Sequence, residues 1–174
     1  MNLVEYNGKK PVLGNRVYID PMAILIGDII VKDGTGIWPG AVIRADEGQV
    51  ILEEGVMVLE HALIEPGKGG ALSIGSESII SHGAIIHGAS IGKNCVIGIG
   101  ARVLDNAVVN DHSIVGAGAL VAPNKEIPSK KMVLGLPGKV IKDLEQTNLD
   151  NTKLEWDMLN NKLDYYIKIR GIQP

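Results

Sequence analysis

Aliphatic residues recur every six positions through most of this chain, and that spacing leaves few folds open to it. The series includes Val31, Ile37, Ile43, then Leu52, Val58, Ile64, then Ile74, Ile80, Ile86, and resumes with Ile91, Ile97, Val103, Val109, Val115 and Val121. Four residues after most of these sits a second slot of small or compact residues: Thr35, Ala41, Val56, Ala62, Ser78, Ala84, Ser90, Cys95, Ala101, Ala107, Ser113 and Ala119. Neither an alternating strand nor a helix of period 3.6 gives this pattern. A six-residue unit is instead one short strand plus a corner, and three units close one coil of a triangular parallel β-helix. Such a unit buries its apolar slots only by stacking on its neighbours.

Residues in equivalent slots of successive coils then form columns about 4.8 Å apart up the outside of the prism. Gly27, Gly75, Gly92, Gly98 and Gly116 directly follow aliphatic slots, where a Cβ would crowd the bend or φ must be positive. The chain has no phenylalanine, so a narrow core of Ile, Val and Ala is expected. The pattern resembles that of hexapeptide-repeat proteins, and the left-handed coiling expected here comes from that resemblance, against the usual right-handed crossover. The fold class is therefore all-β with a C-terminal helix, a left-handed parallel β-helix of hexapeptide repeats, and trimeric for the reason given below.

With 174 residues, 45% of them hydrophobic, the chain can build one such core, and a single domain is expected. Residues 1–22 form a lead-in and 23–122 the β-helix. Pro123, Pro128 and Pro137 mark an irregular exit over 123–150, followed by a helix over 151–170. Trp156, Leu159, Leu163, Tyr166 and Arg170 fall on one helical stripe, which is expected to pack on the prism of its own chain or of a neighbour. The lead-in lacks the basic start and continuous apolar stretch of a signal peptide, and no run approaches a membrane span, so a cytoplasmic location is expected. A net charge of −3 with no basic stripe gives no support to nucleic-acid binding. The single cysteine, Cys95, occupies an inward slot and is expected to be a buried space-filler.

The chemistry-bearing residues lie on the columns. Arg44, Glu65 and His87 follow Ile43, Ile64 and Ile86 in three successive coils, so a guanidinium, a carboxylate and an imidazole stack on one face. The segment from Pro66 to Gly70 lengthens one turn without breaking register and is expected to lean over this column. His82 follows Ile80 one hexad earlier and belongs to an adjacent face. One chain would struggle to unite all three, whereas in a cyclic homotrimer His82 of one protomer can face Glu65 and His87 of the next. Two imidazoles and a carboxylate suit a catalytic zinc with one position left for water, and the same facial set suits iron(II) or cobalt.

Gly27–Asp28, Ile37–Pro39, Ile43–Asp46, His82–Gly88 and Gly135–Lys139 together resemble the γ-class carbonic anhydrase family and its carbonic-anhydrase-like relatives over nearly the whole chain. The resemblance implies reversible hydration of carbon dioxide by a metal-bound hydroxide at a trimer interface. It assigns His82, His87 and Glu65 to metal positions and Arg44, Asp46 and Glu60 to catalytic ones. This chain departs from the family at two places. Glu65 stands where the family has a third histidine; His61 is not a substitute, because that register would put Glu60 inside the prism. Leu59 and Glu60 stand where the family has an amide followed by an acid. A carboxylate in place of an imidazole lowers the charge of the site and is expected to raise the pKa of its water, which implies slow or altered activity.

Arg44 and Asp46 also suit a structural salt bridge between subunits, and Arg44 competes for the Glu65 carboxylate. His61 and His112 are expected at the surface or an interface. Two other functions fit the pattern: an acetyl-coenzyme-A-type acyltransferase using a metal-free histidine as base, and a non-catalytic metal-binding or scaffold trimer.

Overall fold

A computed structural model describes residues 2–68 and 70–170. The hexads wind into a parallel β-solenoid with three faces. Tyr18–Ile19, Gly36–Ile37, Met57–Val58, Ile79–Ile80, Val96–Ile97, Ile114–Val115 and Lys131–Leu134 stack as the first face. The other two faces share the long strands Ile24–Val31 and Val42–Leu52, which turn the corner between them. Leu63–Glu65, Ile85–His87, Arg102–Val103 and Leu120–Val121 continue the second face. Ala71–Ile74, Ser90–Ile91, Val108–Val109 and Glu126–Ile127 continue the third.

Every aliphatic slot counted from Val31 to Val121 is buried and belongs to one continuous core. The small slots are buried as well, with one exception. The coil holding His82 and His87 advances only 17 residues, from Ile80 to Ile97, and the missing residue shifts the inward position from Ser90 to Ala89, which is 2% exposed. Register explains this, since Ser90 pairs with Val108 and leaves Ala89 opposite the inward Ala107. At Gly98 the close stacking of coils dictates the residue: a Cβ there would lie 2.7 Å from the backbone nitrogen of Ala117. Cys95 is fully buried, and burial pushes its thiol up to about 12.

Parallel pairing extends past both expected limits of the solenoid. Asn2–Val4 and Val12–Leu13 already pair with the strand Ile24–Val31. Beyond residue 122, Ile127 and Val133 continue the six-residue period from Val121, and both are buried. Pro123 and Pro128 lie outside the strands, at corners where a missing N–H disturbs no ladder. Lys139–Asp143 then folds back antiparallel on Lys131–Leu134 and covers the last coil of the first face.

Helix α1 (Gln146–Arg170) starts five residues before the expected Asn151. The side chain of Asn148 accepts from the N–H of Glu145 at 3.1 Å, the reaching-back half of a capping box. The helix docks on the first face of its own chain, where Trp156, Leu159, Leu163, Tyr166 and Ile167 meet Tyr18, Trp38, Met57, Leu59, Ile79 and Val96. Fully buried Met57, Ile79 and Leu163 each contribute about 1.5–3 kcal/mol by leaving water. Trp156 donates to the carbonyl of Gly55 at 2.6 Å, and Arg16 donates to Asp164 at 2.7 Å, fixing the helix along its length. No helix among the described residues is long and apolar enough to cross a membrane.

Candidate functional site

The solenoid register builds the column directly. Ile43 pairs with Ile64 and Ile64 with Ile86, so the residues that follow point outward one above another, and Glu65 pairs with His87. Glu65 sits between its two neighbours. Its Oε2 accepts from Arg44 Nε at 2.9 Å and also from Nη2, while Oε1 lies 3.1 Å from His87 Nε2. Arg44 Nη1 donates to Asp46 Oδ2 at 3.1 Å. The hydrogen bonds from Arg44 to Glu65, and then Asp46, hold the guanidinium more firmly protonated than usual.

His87 has a second carboxylate that the columns alone did not reveal. Its Nδ1 lies 3.0 Å from Asp105 Oδ1. Pairing of Ile86 with Val103 puts Leu104 opposite His87 and Asp105 one residue further on, at the corner, so only the turn brings its carboxylate back to the ring. The loop expected to lean over the column lies against the same group: a Cβ on Gly67 would approach Asp105 Oδ1 to 3.2 Å and the Cα of Gly88 to 3.4 Å. Gly69 of that loop lies outside the described residues.

His82 occupies the corner between the first and second faces, directly above Glu60, whose carbonyl accepts from the N–H of Gly83 at 2.9 Å. His82 Nδ1 lies 2.7 Å from Glu60 Oε2, but out of line for a hydrogen bond, so that buried oxygen has no aligned donor among the described residues. Leu59, the departure near this corner, is 4% exposed and turned under helix α1, where it packs instead of offering a polar group.

The six candidate residues thus form two groups within one chain. Arg44, Asp46, Glu65 and His87 meet on the second face, whereas Glu60 and His82 meet at the neighbouring corner. Among the described residues of a single chain no three His, Cys, Asp or Glu side chains converge on a metal position. His61 is exposed and takes a positive φ of 60° at a corner where Gly40, Gly83 and Gly100 do the same; its ring lies over Gly40. His112 also has a positive φ and lies toward the start of helix α1, away from the column.

The donor chemistry nevertheless fits a divalent cation. In both histidines Nδ1 lies beside a carboxylate, the side from which such groups orient a ligand imidazole, and Nε2 is the nitrogen left to face a cation.

A sequence pattern described as "Bacterial transferase hexapeptide (six repeats)" matches residues 88–123. Carnitine operon protein CaiE of Escherichia coli (strain K12) is 30% identical over 162 residues, covering 93% of this chain and 80% of the relative. Gamma carbonic anhydrase 2, mitochondrial, of Arabidopsis thaliana is 34% identical over 142 residues, 78% of this chain. The chain belongs with CaiE to a family of hexapeptide-repeat proteins, and it is similar over most of its length to gamma carbonic anhydrases. It spans about half the length of the Arabidopsis relative, 51%. Two crystal structures in the same fold superpose closely. A hexapeptide transferase family protein from Anaplasma phagocytophilum has a TM-score of 0.91 at 26% identity, covering 95% of this chain and 98% of its own. A putative acetyltransferase from Bacillus cereus has a TM-score of 0.91 at 27% identity, covering 96% and 97%. This chain is therefore similar both to proteins named for carbon dioxide chemistry and to proteins named for acyl transfer.

Proposed function

We propose that this protein is a γ-class carbonic-anhydrase-type metalloprotein that hydrates carbon dioxide, with each site shared by two protomers of a homotrimer. The observation that carries the reading is the placement of a carboxylate at Nδ1 of both histidines, Asp105 for His87 and Glu60 for His82. His87 Nε2 and Glu65 Oε1 from one protomer, with His82 Nε2 from the next, would hold zinc, and iron(II) or cobalt suits the same donors. When bound, such an ion supplies Lewis acidity that makes water a source of hydroxide near neutral pH. The chain's own residues do the rest. Asp105 and Glu60 lie on the Nδ1 side of the two rings and orient them, so that each Nε2 can meet the ion. Arg44 draws negative charge from Glu65 through two N–H groups and so offsets part of what the carboxylate adds relative to a histidine. Asp46 holds Arg44 in place, and the same guanidinium suits the bicarbonate anion as it forms.

Metal analysis with native mass spectrometry tests the assembly: a trimer carrying about one metal per interface supports it. A monomer, or less than roughly a tenth of a metal per chain without chelation, overturns it. Stopped-flow hydration of carbon dioxide then separates an enzyme from a metal-bearing scaffold. Glu65→His is expected to raise the hydration rate; an unchanged or lower rate at full zinc occupancy removes Glu65 from the ligand set.

A second reading rests on the Glu60–His82 pair, since an imidazole backed by a carboxylate is also a general base for acyl transfer. It requires acceptor-dependent release of coenzyme A from acetyl-coenzyme A that survives a chelator and is lost in His82→Ala.

A further inference from the structure

Beneath helix α1, beside His82, lies a cavity of about 210 Å³ that the hydration reaction does not require. Its floor is apolar: Trp38 and Leu59 come from the prism, each 4% exposed, and Leu159 from the helix. Met158 forms a wall and keeps 56% of its surface exposed, so this side of the helix is not consumed by the packing stripe. Charged groups are confined to the edge. Glu60 and His82 lie on the prism side, Glu155 and Lys162 on the helix side. The cavity is smaller than the ~300–1,000 Å³ typical of drug-sized ligands, which limits its occupant to a short chain.

The balance of charge selects the kind of head group. Two carboxylates, Glu60 and Glu155, stand against one ammonium, Lys162, so a free carboxylate meets net repulsion, whereas an uncharged carbonyl can accept from Lys162 without penalty. We propose that this cavity binds the alkyl chain of a short, uncharged acyl compound, an ester, thioester or amide, with its carbonyl toward Lys162. The assignment stands on the lining of the cavity and needs neither a metal nor a second protomer.

Linear primary amides are suitable probes because they keep the carbonyl and are slow to hydrolyse. Acetamide, butyramide and hexanamide are titrated into the full chain labelled with ¹³C-methyl methionine, with hexanoate as the charged control. The Met158 methyl resonance is expected to shift while that of buried Met57 stays still, with affinity rising roughly fourfold per added methylene until the cavity is full. Hexanamide is expected to bind more tightly than hexanoate. Met158→Trp, at a position exposed enough to accept the larger ring, should fill the cavity and abolish the chain-length dependence while circular dichroism stays native. Equal affinity across the amides, tighter binding of hexanoate, or an unchanged series in Met158→Trp would overturn the proposal. Binding is read directly, so failure here leaves the hydration proposal standing, and absence of hydration leaves this one standing.

Discussion

From Ile97 upward each coil advances by 18 residues, Ile97 to Val115 and Val115 to Val133, whereas two of the coils below are longer, 21 residues from Ile37 to Val58 and 22 from Val58 to Ile80. The extra length is spent at the corner between the second and third faces, around Asp46–Gly48 and Pro66–Gly70. The slots on either side stay in register: Ile43 pairs with Ile64, and Leu52 with Ile74. Interior and exterior are thereby uncoupled. Inserting residues at a surface corner costs little, because loop closure grows only slowly with length, while a change of one residue in the ladder would turn the core outward. Arg44, Asp46, Glu60 and Glu65 all lie in the long coils, and His82 and His87 in the short coil stacked on them. The regular coils carry the fold, and the irregular ones carry the candidate chemistry.

This division can be broken most strongly from the inside. Ile97→Ala, in a regular coil, is expected to cost about 2–5 kcal/mol of stability in denaturant unfolding, with metal content per folded chain unchanged. A comparable loss of metal from the folded fraction would show that core and site are not separable. Asp105→Asn reaches the boundary between the two regions, since it comes from a regular coil and supports His87. We expect metal affinity to fall by about 10–100-fold with little change in stability, and unaltered affinity would reduce Asp105 to a surface partner.

A smaller effect is expected at His61, the one non-glycine among the described residues of its corner column to take the left-handed conformation beside Gly40, Gly83, Gly100 and Gly118. His61→Gly should stabilise by about 1 kcal/mol in the same unfolding measurement; a loss would mean that its ring on Gly40 contributes more than the backbone strain costs. The smallest effect concerns the Arg16–Asp164 pair that ties helix α1 to the first coil. The hydrogen bond from Arg16 lowers the carboxyl pKa of Asp164, so the folded state binds its proton less readily than the unfolded chain. The stabilisation is present above the unfolded value near 4 and is lost as pH falls through the lower folded value. Asp164 is 58% exposed, so the difference between wild type and Asp164→Asn is expected to stay below about 1 kcal/mol at pH 7 and to vanish in acid.

Much of this was legible before any coordinates. The six-residue period marked most of the core between Val31 and Val121 but not Val17, Ile19, Leu25 and Ile29 before it, and the position after each aliphatic slot brought Arg44, Glu65 and His87 together. Ser90 misled, because a 17-residue coil looks regular until its partners in the next coil are known. The end of the repeat was drawn too early for a related reason: Pro123 and Pro128 look like breakers in a linear sequence, yet at corners they interrupt no hydrogen bond, and Ile127 and Val133 keep the period going.

The sequence by itself determined the solenoid and the identity of the outward columns, because burial in a stacked coil depends only on spacing along the chain. Tertiary structure alone decided which carboxylate serves which imidazole. Asp105 reaches His87 around a corner, Glu60 rises to His82 from the coil below, and Arg44 binds Glu65 from the other side. Such contacts depend on side-chain direction at turns, where the six-residue period no longer says which way a residue points. The face chosen by helix α1 was settled in the same way, by the aromatic and aliphatic side chains that the first face leaves outside the prism.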